Sequence, residues 1–430
     1  MYEPTYASPS AATRLFNLPG YRVVDVEVDE VGGRTVLAET VDPVAGCPSC
    51  GVVSRRVHQR TRQRLRDIPV AGAVSVVWVK RRYRCAEGLC ARSTFTEHTA
   101  QVPAYARSTA RLQEAVVDAV RVSRRAVDEV ARAFTIGWWT VQRALSRAAL
   151  AMAAPERRCV RRLGIDEHRF RRVRFFRDQD TGSWRRVEPW MVSFVDLDTG
   201  SVIGLVDGRD SAAVRGWLAA RPRWWRRRVQ VVAIDPSAAF RSAVKPLLPN
   251  ANVSVDHWHL IKLANDAVTK VRQRVAQERK GRRGRAVDLA WAHRLLLLRA
   301  GDRLSARGRA KLKLVLAVDD PTNEIGAAWG IKEQMRQILT APTVAEARQR
   351  RRLLEYYALV ADLPETTKLV STVAAWWSEI ETLVRTRVTN AKTEAANLTI
   401  KNTKRTGRGF RNPEHYRCRI MLISAARTTA

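Results

Sequence analysis

Glu394 is the one acid in residues 393–410, a stretch otherwise rich in amides and cations. Read as a helix, Glu394, Asn397 and Lys401 fall at i, i+3 and i+7 and share a face. A carboxylate beside an amide and an ammonium suits a divalent cation held against a phosphate backbone. Asp166 and Asp235 each end a short apolar run, Leu163-Gly164-Ile165 and Val229-Gln230-Val231-Val232-Ala233-Ile234. Singly, strand-end aspartates often only open turns or cap helices. Together with a late acidic helix they form a set of three carboxylates. Four cysteines make a second constellation, Cys47-x2-Cys50 and Cys85-x4-Cys90, each turning through Gly or Pro. Such knuckles close a tetrahedral thiolate cage around one structural zinc. His58 and His98 are substitute ligands, but four thiolates are the simpler set. Cys159 and Cys418 stand alone and read as inert core residues.

The elements that must carry these groups can be read from periodicity. Val24, Val26 and Val28 alternate with acids before Gly32-Gly33, which predicts a hairpin. Residues 74–84 alternate and deliver Cys85 at a strand end. From Arg107 the period becomes helical, with stripes through Leu112, Val116 and Val120, then Val130 and Phe134, then Val141, Leu145 and Ala148. The turn Thr135-Ile136-Gly137 between the last two matches a helix-turn-helix, whose last helix offers Trp139, Thr140, Gln142, Arg143 and Arg147 to base edges and phosphates. After Pro155 the pattern is α/β: strands ending at Asp166, over 188–196 and over 201–206, a helix over 211–220, a strand ending at Asp235, a helix, and a strand ending at Asp256. Residues 260–387 read as almost wholly helical.

The order of three antiparallel strands, helix, strand, helix, strand and late acidic helix is that of a ribonuclease-H-like domain. In that order Asp166, Asp235 and Glu394 converge and hold two Mg²⁺ (or Mn²⁺) per active site for phosphoryl transfer. Glu167 points to the other side of its strand, and Asp196 and Asp198 shape a turn. The expected class is an α/β multidomain chain. Its parts are a hairpin and zinc ribbon (1–104), a helix-turn-helix (105–155), a catalytic domain (156–262), a helical insertion (263–387) and the second catalytic part with a basic tail (388–430).

Composition points to a polyanionic partner. A formal charge of +34 on 430 residues exceeds what solubility needs, and arginine supplies 64 of the 76 cations. Lys401, Lys404, Arg405, Arg408 and Arg411 join Asn397 as expected DNA contacts in the tail, and the clusters over 272–285 and 348–352 suit either DNA ends or a second subunit. Trp224-Trp225, flanked by arginines, suits stacking and cationic contacts. No apolar run reaches the roughly 18 residues of a membrane span, and residues 1–5 lack a signal-peptide pattern. Paired cysteines suit metal binding in a reducing cytoplasm rather than disulfides.

Nearly the whole chain resembles a bacterial insertion-sequence transposase of the ISL-three family. The cysteine ribbon, the helix-turn-helix, Gly164-Ile165-Asp166-Glu167, Asp235-Pro236-Ser237-Ala238-Ala239-Phe240, Asp256-His257-Trp258-His259 and residues 393–411 carry the likeness. It implies a DDE-type core with acids Asp166, Asp235 and Glu394. The Asp256-x-x-His259 pair resembles a motif of the Mutator-like group, which implies that His259 neighbours the scissile phosphate. Asp256 also ends a strand and competes with Asp235 for the second acid. The expected function is to bind an element's terminal inverted repeats, cleave there and join the 3′-hydroxyls to target DNA, working as a dimer or higher oligomer on double-stranded DNA. A DNA-binding regulator without catalysis and a ribonuclease-H-like nuclease are the alternatives.

Overall fold

The computed structural model describes residues 10–428 apart from Ala71; residues 1–5 of the leader reading lie outside them. Residues 1–152 with 403–430 form one compact unit and 153–402 another.

In the first unit, strands β1 (Tyr21–Val28), β2 (Arg34–Thr40), β3 (Val57–Arg66), β4 (Val74–Arg84) and β5 (Thr94–Thr96) make one sheet in the order β1-β2-β4-β3, with β5 on β4. Alternation on β2 and β4 sends Val36, Ala38, Val76 and Trp78 into a core with Phe16, Tyr21 and Leu65. Helices α1 (Ala110–Arg121), α2 (Val127–Ala133) and α3 (Trp138–Leu150) follow. Their apolar stripes meet around Val116, Val120, Val130, Val141 and Leu145. Thr135 takes a left-handed φ of 53° in the turn between α2 and α3. This three-helix core is completed from the far end of the chain, where the Pro413–Thr428 helix inserts Leu422 and packs Cys418 against it. Residues 403–428, inside the expected second catalytic part of 388–430, thus pack in the same compact unit as the helix-turn-helix. Tyr416, Ile420, Leu422 and Ile423 are buried, so this basic tail carries its own apolar stripe.

In the second unit, β6 (Arg162–Arg169), β7 (Trp190–Asp196), β8 (Ser201–Asp207), β9 (Val231–Ile234) and β10 (Asn252–Val255) form one sheet in the order β8-β7-β6-β9-β10. The first three are antiparallel; β9 runs parallel to both β6 and β10. Helices α4 (Ser211–Ala219) and α5 (Ala238–Leu247) supply the crossovers. This is the expected ribonuclease-H-like order. Asp196 shapes its turn as read: Oδ1 accepts from the Asp198 N–H at 3.0 Å and Oδ2 from the Thr199 hydroxyl at 2.8 Å. A hairpin of Arg174–Arg177 and Trp184–Val187 between β6 and β7 is an addition the periodicity does not predict. Beyond β10 come α6 (His257–Lys280), α7 (Ala306–Asp319), α8 (Glu324–Thr340), α9 (Val344–Ala361), α10 (Pro364–Ala375) and α11 (Trp377–Thr386), then α12 (Ala391–Thr406).

Trp225 is buried in the sheet's core, while Trp224 is half exposed with Arg228 over its ring at 5.0 Å. The basic clusters of the helical insertion are largely matched internally. Arg274 pairs with Glu324 and Glu365, Lys280 with Asp288 and Asp319, and Arg348 with Glu381. These pairs leave fewer cations for phosphate than the charge runs imply.

Candidate active site and metal-binding centres

Ile165, Ile234 and Val255 are register partners across β6, β9 and β10. All three enter the same core. The next residue on each strand is an aspartate, so alternation turns Asp166, Asp235 and Asp256 together onto the opposite face, at the carboxyl end of the parallel strands. The segment leading into α12, and α12 itself, lie across that face. Gly164, two residues before Asp166, makes room for them. A Cβ there would stand 1.9 Å from Thr393 Oγ1 and 3.1 Å from Asn390 Oδ1.

Two amides hold the acids. Asn397 Nδ2 donates to Asp166 Oδ2 at 2.6 Å, and its Oδ1 accepts from the Ser193 hydroxyl at 2.9 Å. Ser193 is the β7 register partner of Asp166. Asn390 is fully buried; its Nδ2 donates to Asp235 Oδ1 at 3.2 Å and its backbone N–H to Asp256 Oδ1 at 3.1 Å. Asn397 is only 3 % exposed, so it works inside the site and not as the DNA contact read from the sequence. It falls in the helix stripe Thr393, Ala396, Ile400, which is the signal that assigns it inward. Asn390, Ser193 and Gly164 carry no local sequence signal for these roles.

His259 lies between two of the acids. Its Nε2 is 3.0 Å from Asp235 Oδ2, and Nδ1 is 3.4 Å from Asp256 Oδ2. The second is a charge contact rather than an aligned hydrogen bond, since Nδ1 has no hydrogen-bond partner among the described residues. Asp256 also caps α6 through the Trp258 N–H at 2.9 Å. Burial, reinforced by the Asp235 charge, pushes the Asp166 carboxyl up to about 6. Burial likewise lifts Asp235 to about 6, against the His259 charge and the Asn390 amide. Asp256 is buried too, yet its contacts to His259 and to the Asn390 and Trp258 N–H groups hold it below the usual range. The Asp256 contact raises His259, with burial opposing and the Asp235 charge adding. Burial, then the Asp166 charge, raises Glu167.

Glu394 is exposed on α12. Its carboxylate groups with Asp256 and His259, one ligand atom from each lying within 4.8 Å of the others. Asp166, Asp235 and Glu394 do not form an equally tight group among the described residues. A paired-ion site does not demand one, because acids on the outer sides of two ions about 3.5–4 Å apart need not touch. The donors fit hard cations: carboxylates on adjacent strands, both disfavoured as bare anions by burial.

The four cysteines of the first unit converge as read. The Cys47–Cys90 and Cys50–Cys85 sulfurs are 3.9 and 3.5 Å apart, against the roughly 3.8 Å that a tetrahedral cage with zinc–sulfur bonds of about 2.3 Å requires. Burial works against the Cys47 thiolate, but the N–H groups of Cys50 and Ser49 and the neighbouring thiols bring it down to about 6. Cys159 is exposed, so the core reading fails there; Cys418 is half-buried, and burial raises it to about 11.

On α3, Trp139, Arg143 and Arg147 are exposed and Thr140 is half-buried. Gln142 is a correction. It is 3 % exposed, with its amide 3.4 Å from Ser146 Oγ, because the buried stripe Val141, Ala144, Leu145 is wide enough to include it. Lys401, Arg405, Arg408 and Arg411 are exposed and Lys404 half-buried; Arg408 lies 3.9 Å from Glu129.

Comparison with known proteins covers the same regions. Residues 163–420 match a family model described as transposase, residues 43–90 the zinc-finger of transposase IS204/IS1001/IS1096/IS1165, and residues 97–149 the helix-turn-helix domain of transposase family ISL3. A curated relative, the transposase for insertion sequence element IS1001 of Bordetella parapertussis, is 26% identical over 410 residues, spanning 93% of this chain and 94% of that one. With its catalytic sheet, cysteine cluster and helix-turn-helix all covered by these matches, the chain belongs to the ISL3 family of transposases.

Proposed function

We propose that this chain recognises the terminal repeats of its own insertion element, hydrolyses a phosphodiester at each end and directs the freed 3′-hydroxyl to attack a target phosphodiester, joining the strands and releasing a target 3′-hydroxyl. The observation that carries the reading is the row of Asp166, Asp235 and Asp256 on adjacent parallel strands, overlaid by a helix that presents Glu394. Asp166, Asp235 and Glu394 would hold two Mg²⁺ or Mn²⁺, which supply activation of the attacking hydroxyl and stabilisation of the leaving oxygen. Asn397 and Asn390 fix the carboxylates, leaving other lone pairs open. Asp256 serves His259 and the α6 cap instead of a metal, and His259 offers a cation beside the phosphate. In the first unit one zinc held by Cys47, Cys50, Cys85 and Cys90 would fix the ribbon. Arg143 and its neighbours on α3 would read the ends, and pairing two ends calls for at least two chains.

The test is incubation of the protein with labelled element ends and Mg²⁺. Nicks at the ends and joined products are expected, and both should vanish in Asp166→Asn. Specific end binding without any cleavage under Mg²⁺ or Mn²⁺ would instead identify a DNA-binding regulator.

A further inference from the structure

Between β6 and β7 the chain makes an excursion that the catalytic sheet does not require. Among the described residues Arg174–Arg177 and Trp184–Val187 pair only with each other, as a two-stranded ribbon. Register sets Phe175 opposite Arg186 and Trp184 opposite Arg177 on one face, and Phe176 opposite Arg185 on the other. Phe175, Phe176 and Trp184 are 61, 48 and 69% exposed. An isolated hairpin is marginal in water, and rings this exposed contribute little to folding it. Its tip is nonetheless fixed: Asp178 Oδ1 accepts from the N–H groups of Thr181 and Asp180 at 2.9 and 3.1 Å, and Gly182 turns at a φ of +68°.

Residues 171–187 carry six arginines against two aspartates. Asp178 is committed to the turn, and Arg186 pairs with Glu188 at 2.5 Å. At the ribbon's foot is a cavity of about 340 Å³ lined by Arg186, Glu188, Trp190, Gly208 and Arg209. Arg169 and Arg209 sit over the Trp190 ring at 5.3 and 4.9 Å. The ribbon leaves the sheet at the carboxyl end of β6, three residues beyond the strand position of Asp166.

We propose that this ribbon is a finger for unpaired DNA bases: Phe175, Phe176 and Trp184 stack on nucleotides opened beside the cut, the arginines hold their phosphates, and the cavity at the foot receives one base against Trp190. Rings interleaved with arginines suit bases freed from the duplex, because a paired base has no open face to stack on. Plain duplex would need only the cations. The inference rests on the DNA-cutting reading above.

Its test uses the full zinc-loaded chain, a fully paired element end, and the same end with four mismatched pairs at the cut. Wild type should bind the mismatched end about tenfold or more tightly than the paired one. Trp184→Ala, and Phe175→Ala with Phe176→Ala, should lose that preference, whereas Trp184→Phe keeps it. Both alanine variants should cleave the paired end slowly and regain rate on the mismatched end. These side chains are exposed, so the fold is not at stake. Equal binding of both ends by wild type, or a cleavage loss in Trp184→Ala that mismatches do not relieve, overturns the proposal. A wild type that prefers mismatched DNA yet cuts neither end would sink the catalytic reading and leave the finger standing.

Discussion

Asp166 and Asp235 both titrate near 6, and this sets the pH response of the site. Their folded values lie above the unfolded ones, so without metal the folded state holds extra protons between about pH 4 and 6. Stability should fall as pH rises through that window and stay lower above it. Mg²⁺ should then raise the melting temperature more at pH 7 than at pH 5, and Asp166→Asn should flatten the difference; thermal denaturation at the two pH values reads both. Cleavage should climb across the same range, because the anions are the ligands. Asp166→Asn, Asp235→Asn and Glu394→Gln should each cut cleavage by about a thousandfold or more while end binding changes less than about twofold. Normal cleavage by Asp235→Asn would transfer the second-acid role to Asp256. Asn390→Ala removes the side-chain amide that donates to Asp235 and keeps the backbone N–H that donates to Asp256. We expect slower cleavage with an altered pH profile, and an unchanged profile would make Asn390 a packing residue only.

At the scale of elements, the seating of α12 on the sheet depends on one missing methyl group. Gly164→Ala would force Thr393 and Asn390 aside, an overpacking that costs about 1–3 kcal/mol. It should depress cleavage further than the lost stability explains, since the helix bearing Glu394 is displaced. If melting temperature falls and cleavage per folded molecule does not, the displacement argument is wrong. On α3, Arg143→Ala should weaken binding to element ends about tenfold more than binding to random duplex, because bidentate base contacts discriminate by about 1–3 kcal/mol. Arg405→Ala should weaken both alike and reduce the salt slope by about one charge. Cysteine spacing, strand-end acids and helical stripes made the ribbon, the sheet order and the three helices legible in the sequence, since each is a local pattern. Asn390 and Ser193 were not legible, because their hydrogen bonds exist only once segments far apart in the chain are packed. The Arg174–Arg177 hairpin was missed for a related reason: with both faces in solvent it shows no apolar alternation. Gln142 is buried despite its polarity because the buried stripe of its helix is broad.

For the whole molecule, the zinc ribbon is too small to rely on its own core, so metal and folding should be linked. Elemental analysis should find one zinc per chain, and Cys50→Ser should lose it and expose that region to proteolysis while the catalytic sheet keeps its protection. Full zinc content in Cys50→Ser would refute the four-thiolate cage. The row of aspartates has one more consequence, and it concerns how the chain finds its fold. β6, β9 and β10 are separated along the chain, and parallel ladders as short as these, four residue pairs each, can align one residue out of step. Here each strand has an acid one position past its last core residue. A slip by one would drive a carboxylate into the apolar layer beside Phe194 and Phe240, where it has no partner and an unpaired charge is costly. The acids suited to chemistry thus also penalise every misaligned sheet, and their neutral amide variants should refold with more misregistered by-products than the native chain.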